Sequence, residues 1–473
     1  MTRRKYVPRA FAPAVADFLA EHPRCALWAK PGMGKSVLTL SHLEVCYNVM
    51  GETEPTLVLA PLRVARDGWA HESSKWEHLA GFDVVPIVGD TATRIAALKV
   101  DAPVYTTNYE QLNWLCDYFS EKGRKWPFRR VVADEATRLK SFRLKQGSVR
   151  AQALAKFAHV HVKEFIELVG TPSPNGLKDL WGQMWFLDQG QRLGRSYASF
   201  EERWFAYKRI IDAISHKPGI VPVIQPFASE QIHERLADIC MSLDPKDWFN
   251  LQEPIVNVIE VELSTSAKVK YRELEKELFA QFEGMDVEVF NAAGLTNKCL
   301  QLANGAVYLD PERYGKGAFV ECDFGKIEAL TELVEGTGDD PILVAYQFKS
   351  DLARLLKAFP DALDLSRDDH MADAKAGKGK VWLGHPASIG HGVDGLQTYC
   401  NRICFFAQDW NLEYHEQILE RIGPMRQYQE GKTCGVFIDY IVARDTLDEV
   451  VMGRRSGKAS AQAALMDYMK RKA

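Results

Sequence analysis

Short apolar runs alternate along this chain with stretches of helical spacing. CALWA (25–29) is followed by a helix predicted from Lys35 to Met50, and TLVLAP (56–61) by one running through Trp69 and Trp76. VVPIVG, PVYTTNY, RRVVADEA and EFIELVGTP then follow in turn. That alternation is the pattern of a parallel, doubly wound sheet. It restarts late in the chain with PILVAYQF, the helix KSDLARLLKAF, KVWLGHPA, RICFFAQ, the helix EYHEQILERI and CGVFIDYIV. Between the two series, Pro218, Pro222, Pro226, Pro245 and Pro254 break up an irregular segment around the charged helix SAKVKYRELEKELFAQF. The expected organisation is α/β, with a first lobe over residues 1–189, a helical connector over 190–321 and a second lobe over 322–473.

Composition narrows the class. The 473 residues leave room for two to four domains at roughly 100–200 residues each. With 46% hydrophobic and 26% charged residues, the chain is neither fibrous nor largely disordered. Lys plus Arg is 59 against 63 for Asp plus Glu, a net charge of -4, so any contact with a polyanion has to be local. Nine cysteines without a CxxC pair suit reduced thiols of a cytosolic protein, and Cys400 with Cys404 lacks the second ligand pair a metal needs. Pro8, Pro13 and Asp17 interrupt the basic N-terminus, against a signal peptide, and no stretch approaches the ~18 apolar residues of a membrane span. No repeat of fixed period is present. Among the twelve histidines, His159 and His161 alternate and His385 and His391 flank one segment, and none sits with a Ser or Cys in a strand-to-helix elbow.

Two strings carry chemistry. Ala29-Lys-Pro31-Gly32-Met33-Gly34-Lys35-Ser36 stands directly after an apolar strand and before a helix, the context of a phosphate loop, with Ala29 in place of the usual first glycine. Its glycines let backbone amides turn onto phosphate oxygens, Lys35 reaches the β and γ phosphates, and the Ser36 hydroxyl suits Mg²⁺. Further on, the strand of RVVADEAT ends in Asp134 and Glu135. One carboxylate there can hold the metal and its neighbour orient the attacking water, with Asp134 on Mg²⁺ and Glu135 on water.

With these strings in place, the chain resembles the helicase and translocase superfamily 2, and within it the Swi/Snf-type double-stranded DNA translocases. DEATRLKS supplies the basic run after the acidic pair through Arg138 and Lys140, and LVGTPSPNGLKDLW (168–181) is similar to the third family motif. LVLAPLRVARDGWAHESSKW is similar to motif Ia and TTNYEQL to the segment beside the nucleic-acid track. ILVAYQF, HPASIGHGVDGLQ and DWNLEYHEQILERIGPMRQ resemble motifs IV, V and VI in order. KCLQLANG (298–305) and TLDE (446–449) resemble two further elements of the Swi/Snf branch.

The resemblance implies two RecA-like lobes with ATP bound between them, and an arginine from the second lobe, Arg421 or Arg426, completing the γ-phosphate site. It implies nucleotide contacts at Gly392, Asp394 and Gln417, and nucleic-acid contacts at Pro61, Arg63, Thr107, Tyr109, Arg138, Lys140, Thr171 and Ser388. The expected activity is a Mg²⁺- and ATP-dependent DNA translocase or helicase, favouring duplex DNA. The expected setting is replication, recombination or repair in a bacterial or phage-infected host cytosol. Replication or recombination proteins are the implied partners, with no membrane, for a monomer or weak oligomer.

Departures from the family pattern keep other readings open. The second arginine of motif VI falls on Pro424, Thr137 and Asp394 replace the usual residues, and the adenine-reading glutamine expected near Ala12 is missing, which relaxes base selectivity. A strand-separating helicase on single-stranded DNA or RNA is one alternative. A nucleotide-gated DNA-binding or assembly protein with negligible hydrolysis is another, and an ATPase without nucleic acid a third. Of the basic clusters, 122–130 reads as a solvated face and 138–150 as split between solvent and DNA phosphates. Trp69, Trp76, Trp181, Trp185 and Trp204 have helical apolar spacing and read as core.

Overall fold

The computed structural model describes residues 3–455 apart from 122, 174–175, 212–217, 283–288, 390–392 and 433–434. Gly392 and the C-terminal stretch with Ala464, Leu465 and Met469, expected to pack as a helix, lie outside the described residues. The chain divides into two compact units, residues 1–208 with 222–250, and residues 209–221 with 251–473.

In the first unit lie β1 (Arg24–Ala29), β2 (Thr56–Ala60), β3 (Val84–Pro86), β4 (Val104–Asn108), β5 (Arg130–Asp134) and β6 (Glu164–Val169). A two-stranded ribbon follows, β7 (Phe205–Ile211) and β8 (Pro218–Ile224), and then β9 (Cys240–Leu243). The seven-stranded sheet has the order β3-β4-β2-β5-β6-β1-β9, and every neighbouring pair is parallel. β2, β4 and β5 are buried at every residue because helices cover both faces, which is why they are written as unbroken apolar runs. Phe165, Trp181, Phe186, Phe200 and Trp204 fill the core on one side. Trp69, Trp181, Trp185 and Trp204 are buried, in line with their helical spacing, whereas Trp76 is only half-buried.

The second unit begins with β10 (Ile255–Val261) and a small antiparallel pair, β11 (Ala306–Tyr308) and β12 (Phe319–Glu321). It continues with β13 (Ile342–Ala345), β14 (Leu363–Asp364), β15 (Val381–Gly384), β16 (Arg402–Phe405) and β17 (Phe437–Ala443). Its six-stranded sheet runs β10-β17-β16-β13-β15-β14, again parallel throughout.

The segment 190–321 does not stand apart as a helical connector. β9 extends the first sheet by pairing with β1, and β10 extends the second by pairing with β17. Each adds a strand whose apolar run is too short, or too exposed, to stand out in the sequence: β9 has one buried residue of four, and β10 is exposed over most of its length. The charged helix is present as Thr265–Phe282. The predicted helix 35–50 runs as an α-helix over Lys35–Glu44 and closes in a π-helical turn over Val45–Val49.

Candidate functional site

In a parallel sheet all strands end at one edge, and the loops leaving that edge are the natural place for a ligand. β5, β6 and β1 are consecutive in the first sheet, so the segments after Ala29, Asp134 and Val169 emerge side by side. The phosphate-loop string occupies the first. Gly32 and Gly34 have φ of 83° and 84°, a region closed to most side chains, and Gly34 caps the helix that starts at Lys35. The Lys35 ammonium donates to the Ala29 carbonyl at 2.6 Å, folded back over its own loop. Met33 is buried beneath, while Ser36 is half-buried in the first helical turn.

At the end of β5, Asp134 is buried and accepts a hydrogen bond from the Trp69 indole at Oδ2, 3.0 Å away. Burial and the adjacent Glu135 raise its pKa to about 6, partly offset by Lys35 and by the indole bond. Glu135 itself adopts φ 58°, a left-handed conformation that costs a non-glycine residue on the order of 1 kcal/mol and turns the chain sharply after the strand. A hydroxyl and a carboxylate are hard oxygen donors, and a buried carboxyl crowded by a second one carries negative charge that a divalent cation relieves. Ser36 and Asp134 therefore fit Mg²⁺.

The third segment closes the cradle. A Cβ on Gly170 would come within 3.3 Å of Pro31 Cδ, so glycine lets the end of β6 lie against the phosphate loop. Thr171 is half-buried, and the Gln183 amide donates to the Pro172 carbonyl at 2.8 Å, fixing the turn from the following helix.

The expected nucleic-acid residues separate into two groups. Thr107 is buried and donates to the Ile87 carbonyl at 2.9 Å, and Tyr109 is buried with its hydroxyl on the Asp134 carbonyl at 2.9 Å. Thr107 presents no surface to a polymer and braces a strand end, whereas Tyr109, although nearly buried, lines a hollow together with Arg138, Ser148 and Arg150. Pro61 is likewise buried, at the end of β2. Arg138 and Ser388 are exposed, Arg63 is half-buried, and Lys140 is half-buried with Asp179 at 3.8 Å. Arg138, Ser148 and Arg150 line one shallow hollow. Arg129 and Arg130 pair with Glu164 and Glu52, so part of the 122–130 cluster is structural, as is Arg143, stacked on the Tyr197 ring at 3.3 Å.

In the second unit the loops after β13, β15 and β16 leave the same edge, since those strands are neighbours. His385, after β15, hydrogen-bonds the Gln347 carbonyl after β13 at 3.1 Å. Arg421 donates to the Val393 carbonyl at 2.8 Å and to the Gln417 carbonyl at 3.3 Å. Arg426 pairs with Asp394 at 3.3 Å. Asp394, Gln417, Arg421 and Arg426 are thus gathered around residues 393–394. The Gln417 amide is buried and donates to Glu413 at 3.4 Å.

Below that edge lies a buried polar network that sequence reasoning did not assemble. The Lys326 ammonium lies 2.5 Å from Asp448 Oδ2 and 2.8 Å from Asn304 Oδ1. Asn304 in turn donates to Asp351 at 3.1 Å, and Asp351 accepts the Phe348 amide at 2.9 Å. The two strings at 298–305 and 446–449 meet here through Asn304 and Asp448. Trp69 is the other residue missed. Its place in an apolar stripe hid the polar use of its indole, and buried tryptophans usually find an acceptor.

Residues 19–304 match a family model described as SNF2-related domain. A protein of Acyrthosiphon pisum secondary endosymbiont phage 1 is 48% identical over 471 residues, covering 99% of this chain and all of that one. The Chromodomain-helicase-DNA-binding protein 1-like of Danio rerio is 22% identical over 92% of this chain, which spans 41% of that relative. In structure, the chain is similar in fold to the Pyrococcus furiosus Hef helicase domain, with a TM-score of 0.52, 12% identity and coverage of 95% of this chain and 98% of that one. The two parallel sheets flanked by helices are RecA-like lobes. Among the described residues no helix is long and apolar enough to cross a membrane, and no cluster of three or more His, Cys, Asp or Glu is arranged to hold a metal.

Proposed function

Because the chain belongs to the SNF2-related family, we propose that it is a DNA-dependent ATPase that couples hydrolysis of Mg-ATP to movement along duplex DNA, in replication, recombination or repair within a bacterial or phage-infected host cytosol. The observation that carries this reading is the convergence at one sheet edge of a glycine-turned phosphate loop, the Asp134-Glu135 pair and the Gly170 turn packed on Pro31.

In the proposed mechanism the amides around Gly32 and Gly34, at a helix N-terminus, hold the phosphates, and Lys35 swings from the Ala29 carbonyl to the β and γ phosphates. Ser36 and Asp134 would hold Mg²⁺, which supplies charge neutralisation at the phosphates when bound. Glu135, turned out by its left-handed backbone, orients water. Trp69 fixes the rotamer of Asp134, and Tyr109 pins the backbone that bears it. Arg421 or Arg426 acts on the developing phosphate charge. Arg63, Arg138, Lys140, Thr171 and Ser388 remain as DNA contacts, and Arg138 shares one hollow with Ser148 and Arg150.

The test is ATP turnover with Mg²⁺, for wild type and Lys35→Ala, without polynucleotide and with duplex DNA, single-stranded DNA or RNA. Turnover stimulated most by duplex and lowered at least about 10³-fold by Lys35→Ala is the expected result. Stimulation by single strands or RNA alone replaces the translocase with a helicase, and absence of turnover replaces it with a nucleotide-gated binder.

A further inference from the structure

The chain lacks the glutamine expected near Ala12, yet the residues just before that position are tied to the phosphate loop. Arg9 Nη1 donates to the Gly32 carbonyl at 2.8 Å, inside the loop itself. The Arg9 guanidinium carbon also stands 5.5 Å from the centroid of the Phe249 ring. Phe11, buried, meets Trp248 edge-on at 5.4 Å and Phe249 at 6.2 Å.

The sheet explains why residues so far apart in sequence meet. β9 pairs with β1 in parallel register, Leu243 opposite Ala29, so the chain after Leu243 leaves the same edge as the phosphate loop. Five residues later that chain presents Trp248, which stays 43% exposed although it is large and apolar. A half-exposed aromatic held edge-on by a buried one, beside an arginine bonded to a phosphate-binding loop, has the make-up of a stacking platform.

We propose that Trp248, Phe249 and Arg9 form the ledge that receives the base of the bound nucleotide, an inference that rests on the phosphate-loop reading above. Stacking engages the π face of the base and leaves its hydrogen-bonding edge unread, so the site accepts adenine and guanine triphosphates alike. Segment 245–250, expected as part of a connector, thereby becomes a specificity element of the first lobe.

Equilibrium binding of ATP, GTP and inorganic tripolyphosphate, each with Mg²⁺, tests this on wild type, Trp248→Ala, Phe249→Ala, Trp248→Phe and Lys35→Ala. Wild type is expected to bind ATP and GTP within about threefold of each other. Trp248→Ala and Phe249→Ala should each weaken both about tenfold while leaving tripolyphosphate unchanged, and Trp248→Phe should restore most of the loss. ATP binding unchanged in both alanine variants overturns the ledge, as does an equal loss for tripolyphosphate or a preference for ATP over GTP beyond about tenfold. Loss of all three ligands in Lys35→Ala with intact binding in the ledge variants overturns the ledge alone. A wild type that binds none of the three overturns the phosphate-loop reading and the ledge with it.

Discussion

The two lobes share a sheet architecture but hold their functional groups by different means. In the first, the backbone does the positioning: Gly32, Gly34 and Glu135 occupy left-handed conformations after β1 and β5, the strands on either side of β6, and Gly170 at the end of β6 leaves room for the Pro31 ring. In the second, side chains do it: Arg421 and Arg426 are tethered to residues 393–394, and Lys326, Asn304, Asp351 and Asp448 knit four segments together. Buried carboxyls repeat the contrast. Glu167, on β6 of the first sheet, has no hydrogen-bond partner on either oxygen, and burial, with Asp188 nearby, pushes its pKa well up, which favours the protonated carboxyl. Asp448 is neutralised by the ammonium of Lys326. A site built from backbone is spelled in one short string, whereas a site built from side chains is dispersed and depends on packing.

The largest expected test of this contrast is at the arginines. Arg426 is held by a mainly exposed carboxylate that a phosphate can replace, whereas Arg421 is spent on two backbone carbonyls. Arg426→Ala should lower ATP turnover on the order of 10³-fold with nucleotide affinity within a few-fold, and Arg421→Ala should lower the melting temperature as well as turnover. Steady-state kinetics with calorimetry separates the two, and the opposite pattern reverses their roles.

Next in size is the network. Lys326→Met leaves Asp448 buried without its cation, a loss of about 3 kcal/mol that should lower the unfolding transition of the second lobe in calorimetry and leave nucleotide binding at Lys35 intact. A variant as stable as wild type would show that the network is dispensable.

The smallest effect concerns Glu167. A carboxyl whose folded pKa is raised contributes stability that is fully present below the unfolded value of 4.5 and is lost as pH rises through the folded value. Glu167→Gln mimics the protonated form, so stability at pH 7 should change by no more than about 0.5 kcal/mol. The part of the stability decline with rising pH that belongs to this carboxyl should also disappear, as read by denaturant titrations at several pH values. A large loss at pH 7 would mean that the ionised carboxylate has a structural partner.

Sequence alone determined what is local. The alternation of apolar runs and helices predicted both parallel sheets, because strands covered on both faces must be apolar throughout. The loop from Pro31 to Ser36 and the Asp134-Glu135 pair stand out in the sequence because the residues of each string are adjacent, and they emerge at one edge of the first sheet. Tertiary structure decided what depends on distance. It placed β9 and β10 in the sheets, although 190–321 reads as connector, because edge strands bury too little to show a pattern. It made Thr107 a buried brace, since a polar residue at a strand end looks the same in sequence whichever way it faces. It also brought Trp69 to Asp134, Trp248 to Phe11 and Lys326 to Asp448, pairs separated by many residues that only sheet order and helix packing bring together.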